Sequence, residues 1–292
     1  MDRLPGSSWW FQQGRKNHGD RQDQESTAMI QTSQIIHGDC LEVMRGFPDA
    51  CIDLVVTSPP YDNLRDYKGY RFDCPPVAVE LLRVMKPGGV VVWVVQDAKV
   101  KGSRTLSSLE QAIAFRDAGW RVHDTMIWLK DSCPFPIRNA YQPVWEYMFA
   151  FSKGSPKTFS PIRKKNGQIK KLDQRSSYRQ KNGSLLRKEP YTTPSDSIEH
   201  NVFYYAAGHC QSTRDSFSFE HPATFPEALA KDQIISWTKP GDVVLDPFAG
   251  SGTTLKMAEE VGRQWIGIDI SADYCEIAKQ RVKVAQPELK LQ

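Results

Sequence analysis

Hydrophobic positions along this chain switch between a two-residue and a helical period from Ile35 onward. Gln34–Ile36 reads as a short strand ending at Gly38-Asp39, and Leu41–Arg45 as the start of a short helix. Ile52–Thr57 is a β-branched run bounded by turn residues, as expected of a buried strand. Val77–Met85 places apolar residues at 77, 81, 82, 84 and 85, a helical stripe stopped by Lys86-Pro87-Gly88-Gly89. Val90–Val95 is a continuous apolar strand, and Leu106–Ala118 a helix with Gly119 as its C-cap. Val122–Leu129 and Val144–Phe151 follow as strands, expected to form an antiparallel pair at the sheet edge. Towards the C-terminus, Phe225–Trp237 reads as a helix, 242–246 as a strand, 253–262 as a helix and 265–269 as a strand. A last helix starts at Ala272. Strands alternating with helices in this way build a largely parallel sheet with helices on both faces.

Composition narrows the class without naming it. The chain has 292 residues, 40% apolar and 25% charged, enough for one sizeable α/β core with an insertion. No apolar run approaches the length that spans a bilayer. The polar N-terminus has no signal-peptide core, so a cytoplasmic location is expected. Residues 1–30 lack periodicity and read as a disordered extension, with Met29 a candidate native start. The six cysteines show no C-x-x-C and no histidine at ligand spacing, which argues for reduced, packing cysteines and against a zinc site. The net charge of +4 matters less than its distribution. Between Pro161 and Lys188 stand ten Lys or Arg against one acid, Asp173, with turns at Asn166-Gly167 and Asn182-Gly183. Four regions are expected: the 1–30 extension, a catalytic half at 31–159, a basic loop-rich insertion at 160–212, and a cofactor-binding half at 213–292.

Two strings carry the chemistry, and each leaves a β-branched strand. The later one, Asp246-Pro247-Phe248-Ala249-Gly250-Ser251-Gly252-Thr253, opens a β-loop-α-β unit that closes at Gly267-Ile268-Asp269. Glycines at 250 and 252 let the backbone turn tightly towards a ligand at a helix N-terminus. An acid about twenty residues on can accept both hydroxyls of a ribose. Asp246 at the strand tip repels a pyrophosphate but suits a cationic group. S-adenosyl-L-methionine (AdoMet), with a sulfonium and an ammonium, is therefore the expected cofactor, ahead of a dinucleotide.

The earlier string is Ser58-Pro59-Pro60-Tyr61. Each proline stiffens the backbone, lacks an N–H and pushes the preceding residue to an extended conformation. The loop thus offers the Ser58 hydroxyl and the Pro59 carbonyl as acceptors beside the Tyr61 ring. That suits a conjugated exocyclic amine: its two N–H groups donate to the loop, its lone pair localises for in-line attack, and Tyr61 stacks on the base. Such catalysis is positioning and electrostatics, with no covalent intermediate. A base must leave the duplex to reach the loop. The basic insertion can grip phosphates, and its Asn, Gln and Arg side chains can read base edges.

Together these segments resemble the β-class of DNA amino-methyltransferases, the cytosine-N4 and adenine-N6 enzymes, over roughly residues 33–282. The class has a permuted order, with the catalytic loop first, then the recognition region, then the AdoMet loop. The resemblance implies a Rossmann-like AdoMet-dependent methyltransferase sheet. His37-Gly38-Asp39-Cys40 resembles its adenine-contacting turn, which implies that Asp39, with Cys40 beside it, meets the AdoMet adenine. Glu80–Gly89 matches a helix and turn common among AdoMet enzymes. Trp128, Lys130 and Glu146–Lys153 resemble the segment lining the target-base pocket, with Trp145 where relatives often place His. His221–Pro226 resembles the wall beside the cofactor methionine and brings in Phe225. Asp246, Phe248, Gly250, Gly252, Thr253 and Asp269 fall on cofactor positions, and Ser58, Pro59, Pro60 and Tyr61 on the catalytic tetrad. Ser at the first tetrad position is more typical of cytosine-N4 enzymes and Asp of adenine-N6 enzymes, so cytosine N4 is favoured, with adenine N6 as the alternative. Methylation of RNA or of protein glutamine fits less well, because those enzymes often carry Asn-Pro-Pro-Tyr and place the cofactor loop first. A non-catalytic DNA-binding protein is disfavoured by the intact Ser58, Tyr61, Gly250 and Asp269. The implied partner is double-stranded DNA, with no membrane; a cognate restriction endonuclease, and monomer against homodimer, are left open.

Overall fold

The computed structural model describes residues 30–60, 72–131, 140–165, 177–187, 195–206, 213, 215 and 225–285. The N-terminal extension, Tyr61, His221–Thr224, Asn166-Gly167 and two of the cysteines, Cys133 and Cys210, lie outside these residues. In chain order the elements are β1 (Gln34–His37), α1 (Cys40–Arg45), β2 (Ile52–Thr57), α2 (Cys74–Val84), β3 (Met85–Val95), β4 (Lys99–Val100), β5 (Ser103–Arg104) and α3 (Ser107–Asp117). Then come β6 (Arg121–Leu129), β7 (Trp145–Ser152), β8 (Arg163–Lys165), β9 (Ser177–Arg179), β10 (Leu185–Arg187), β11 (Asp196–Ile198) and β12 (Val202–Tyr204). The chain continues with α4 (Glu227–Trp237), β13 (Val243–Asp246), α5 (Thr253–Glu260), β14 (Gln264–Asp269) and α6 (Ala272–Ala285).

Eight strands form the main sheet in the order β1-β14-β13-β2-β3-β7-β6-β12. Every pairing is parallel except those of β7, which runs against both β3 and β6. From β13 the chain crosses by α5 to β14 on one side. From β2 it crosses by α2 to β3 on the other. The boundary between β13 and β2 is therefore the switch point, where a crevice opens beyond the strand ends.

The sheet divides two cores. On one face α1, α2 and α3 contribute Met44, Leu81 and Phe115, packed on Val91, Trp93, Val95, Leu245 and Ile268. On the other α4, α5 and α6 contribute Leu229, Leu255 and Val282, packed on Val90, Val92, Val94, Val244 and Leu54. Alternation along Val90–Val95 of β3 is thus complete although every one of these positions is apolar, because both faces are covered. Trp93 is fully buried, and its indole N–H meets Gln111 Oε1 at 2.7 Å, so the ring's polar atom costs nothing.

Three expectations change. Helix α2 begins at Cys74, before Pro75-Pro76, because prolines in the first turn give up only N–H groups that have no helical partner. The strand after it starts at Met85, paired with Ile52, and the irregular register before Leu54↔Val90 absorbs the Lys86–Gly89 turn. β6 and β7 are antiparallel as expected, but β12 lies outside β6 and forms the edge. The insertion thus returns a strand to the main sheet.

Candidate active site

Strand ends β1, β14, β13 and β2 lie side by side, and the residues singled out in the sequence gather on the turns leaving them. The Gly38 N–H donates to the Asp269 carbonyl at 2.9 Å, which lays the Gly38-Asp39 turn against the tip of β14. Asp39 caps α1, its Oδ1 accepting from the N–H groups of Leu41 and Glu42 at 2.9 and 3.1 Å. Cys40 beside it is buried. Asp269 takes the Gly250 N–H on one carboxylate oxygen and the Ser271 N–H on the other, each at 2.8 Å. The glycine loop and the acid nineteen residues beyond it are one hydrogen-bonded unit.

Gly250 and Gly252 adopt positive φ of 50° and 79°. A Cβ on Gly252 would stand 2.7 Å from the Ala278 Cβ, so the space that glycine clears is filled by α6. Gly252 therefore also lets α6 pack on the turn. Thr253 starts α5 and is buried. Phe248 sits edge-on to Phe72 and Trp93, with centroids 5.3 and 6.1 Å away, in the α1–α3 layer. Phe225 packs half-buried in the opposite layer.

The two loops are tied together. Thr57 Oγ1 donates to Asp246 Oδ1 at 2.6 Å across a sequence gap of 189 residues. The Phe248 N–H reaches the same oxygen at 3.1 Å. Thr254 Oγ1 donates to the Val56 carbonyl at 2.9 Å. Asp246 is only 1% exposed. Burial pushes its carboxyl up to about 6, with the hydrogen bonds from Thr57 and the Phe248 N–H acting in opposition. The carboxylate that the sequence offers to a cationic ligand is also a buried strut between the loops. Ser58, half-buried, and Pro59, buried, follow directly from the residue that this strut holds.

A family model described as DNA methylase matches residues 52–280, which span both loops. The chain belongs to the N6/N4 DNA methylase family. Orphan methyltransferase M.BamHII of Bacillus amyloliquefaciens is 49% identical over 238 residues, covering 80% of this chain and 90% of that protein. TTHA0409 of Thermus thermophilus, solved with S-adenosyl-L-methionine, superposes with a TM-score of 0.57 at 26% identity over 88% of this chain and 97% of that one. PvuII DNA methyltransferase (cytosine-N4-specific) shares the fold, with a TM-score of 0.63 at 24% identity over 87% of each chain. As an N6/N4 DNA methylase, the protein is an AdoMet-dependent DNA methyltransferase.

The donor set at the strand ends suits that cofactor. Asp39, Asp246 and Asp269 put carboxylates on three adjacent turns, and burial raises the pKa of the last two. Desolvated acids without a full complement of cations favour a positively charged ligand bearing hydroxyl donors. A carboxylate has about four lone-pair sites, so Asp269 can still accept ribose hydroxyls beside its two backbone N–H groups. Among the described residues no group of three His, Cys, Asp or Glu is placed to hold a metal, and no helix is long and apolar enough to cross a membrane.

The residues that the resemblance assigned to the methylase base pocket separate into two groups. Trp128, Lys130 and Glu146 meet at the edge where β3 ends. Lys130 Nζ pairs with Glu146 Oε1 and lies 4.7 Å over the Trp128 ring, whose Nε1 donates to the Tyr205 carbonyl at 2.9 Å. Trp145 next to them is 41% exposed and edge-on to Tyr147, with its carbonyl held by Gln96 Nε2 at 2.9 Å. Lys153, at the far end of β7, donates instead to the carbonyls of Leu82 and Met85. Of the 146–153 segment, Glu146 therefore lies by the C-terminal end of β3 and Lys153 by the turn before Val90.

Arg281 escaped the sequence reading. Its side chain is fully buried and donates to the Ser251 carbonyl and hydroxyl, to Thr253 Oγ1, Asp215 Oδ2, Glu227 Oε1 and Thr213 Oγ1, over 2.6–3.3 Å. Lys256 joins the same two carboxylates at 2.8 and 2.9 Å. The pair of cations thus fixes the glycine loop against α4, α6 and the segment that follows the insertion. A single cation on an amphipathic helix normally reads as solvated, and only the small residue at Ala278, one turn earlier on α6, hints at a close approach.

Proposed function

We propose that this DNA methyltransferase methylates the N4 amine of a cytosine extruded from duplex DNA. The observation that carries the reading is the Thr57–Asp246 hydrogen bond, which sets Ser58-Pro59-Pro60 directly beside the glycine loop. In this reading the Ser58 hydroxyl and the Pro59 carbonyl accept the two amine hydrogens. They turn the nitrogen lone pair out of conjugation and towards the cofactor side of the crevice. Tyr61 stacks on the base. Bound AdoMet supplies a methyl group made electrophilic by the sulfonium. Asp269 holds ribose hydroxyls, Asp39 and Cys40 border the adenine, and Phe225, Phe248, Gly250, Gly252 and Thr253 shape the cradle. Asp246 contributes its field from beneath. No strong base is needed, since the amine becomes acidic once alkylated and releases its proton to water.

Ser58 at the head of the tetrad supports cytosine over adenine, through the resemblance rather than through geometry, since both bases offer the same amine. The insertion at 160–212 supplies recognition and duplex binding. Nucleoside mass spectrometry of DNA incubated with enzyme and AdoMet decides between the bases. N4-methylcytosine is expected, and N6-methyladenine alone would refute the assignment.

A further inference from the structure

Two ribbons of the insertion stay outside the main sheet, β8–β11 and β9–β10. β9 and β10 pair only with each other, antiparallel, in the register Leu185↔Arg179, Leu186↔Tyr178, Arg187↔Ser177. Their connection is the three-residue tip Lys181-Asn182-Gly183. The Gln180 N–H meets the Ser184 carbonyl at 2.8 Å, the Gly183 N–H meets the Gln180 carbonyl at 2.9 Å, and Gly183 sits at φ 84°. That is a type I turn closed by a left-handed glycine, a favoured three-residue hairpin. Asn182 Oδ1 also accepts from the Ser184 N–H at 3.0 Å and the Ser184 hydroxyl at 2.7 Å. The tip is held by its own chemistry, with Lys181 at the apex.

Nothing described covers this hairpin. Residues 181–186 are all exposed, and Leu185 is 66% exposed beside Arg179. An isolated two-stranded ribbon is marginal in water, so one this pre-shaped is built to meet a partner. Charge states which partner: residues 174–188 contain five Lys or Arg and no acid, the complement of a polyanion. Shape agrees, because strands about 4.8 Å apart form a ribbon that a major groove about 12 Å wide admits.

We infer that the β9–β10 hairpin enters the major groove of the target duplex, with Lys181 at the tip reading base edges and Arg179 on the shaft gripping a phosphate. Leu185 then lies against sugar or a thymine methyl. The inference rests on the DNA methyltransferase reading and adds the element, the groove and the residues.

The test uses the full-length enzyme with Lys181→Ala and Arg179→Ala variants. Modification-sensitive sequencing of host DNA reads the methylated motif, and the salt dependence of duplex binding reads phosphate contacts. Lys181→Ala is expected to relax or change at least one position of the motif. Arg179→Ala should keep the motif and lower the slope of log K against log salt by about 1. AdoMet affinity should stay within about twofold in both, since β9 and β10 pair with each other and not with the strands that carry the cofactor turns. A parental motif and slope in both variants would overturn the inference. So would a Lys181→Ala enzyme with only a shallower slope, which puts the tip on phosphates. Concentration-dependent self-association abolished by Leu185→Ser, with DNA binding unchanged, would assign the hairpin to a protein contact. Wild-type enzyme that methylates no DNA would instead remove the function on which the inference rests.

Discussion

Asp246 keeps a carboxylate where folding strips away nearly all of its water. Its folded pKa, about 6, lies above the usual 3.8, so between those values the folded chain holds a proton that the unfolded chain has lost. The stability this proton brings is complete below about pH 4 and is lost as pH rises through 6, a cost on the order of 3 kcal/mol at neutral pH. Asp246→Asn keeps the acceptor for Thr57 and removes the charge. It is expected to raise the urea midpoint at pH 7.5 and to flatten most of the decline between pH 4 and 6; an unchanged decline would mean that another group titrates. Binding follows the opposite course. A cationic cofactor favours the ionised acid, so AdoMet affinity should tighten as pH rises through about 6, with proton release seen by calorimetry in buffers of different ionisation enthalpy. Affinity that stays flat from pH 5 to 7 would separate Asp246 from the cofactor.

The turn after β13 shows how several elements converge on one backbone path. Gly252→Ala must accept both a left-handed conformation, costing about 1–2 kcal/mol, and a clash with Ala278 on α6. Loss of AdoMet binding is expected together with a lowered melting temperature; an enzyme with parental affinity would show that the turn tolerates displacement. Arg281→Met leaves Asp215 and Glu227 without one of their two cations, a change that costs about 3–5 kcal/mol when such a pair is buried. Adding Asp215→Asn should recover part of that loss in urea denaturation, because Glu227 then still pairs with the buried Lys256, whereas additive losses would argue that Arg281 acts by packing alone. The glycine turn itself was readable from sequence because Gly250, Gly252 and Asp269 sit close together along the chain. The cation behind it was not, since Arg281 meets Thr213, Asp215, Glu227 and Ser251 over separations of 30–68 residues. Helix α2 started earlier than its apolar stripe suggested because a Pro-Pro pair marks a stop or a start equally well. β12 went unread because three residues carry no period.

The arrangement of strands explains why the order of motifs along the chain does not disturb the site. What the crevice requires is that β13 and β2 be neighbours, and their register, Val244↔Leu54 and Leu245↔Val55, provides this whichever is made first. Labour should divide along the same seam. Ser58→Ala is expected to lower turnover about a hundredfold, the loss typical of a preorganised polar group, with AdoMet affinity within about twofold. Asp269→Ala should weaken AdoMet roughly tenfold or more, as loss of a charged hydrogen-bonding partner does. Equal loss of AdoMet in both variants would show that the two halves do not divide the work. The strand–helix alternation and both loops could be read in advance because each is local. Pairing across the seam could not, being a contact between distant parts of the chain.

That seam also runs through time. β2 leaves the ribosome well before β13, and at 5–20 residues per second the 189 residues separating Thr57 from Asp246 take roughly 10–40 s to make. Throughout that interval β2, a strand buried along its whole length in the finished sheet, is an open edge awaiting its neighbour. The nascent enzyme therefore stays inert towards host DNA until synthesis is nearly done, and depends on protection of one central strand while it waits. Stalled chains ending before Val243 should be cut readily by protease near residues 52–57, and chains extended past α6 should resist.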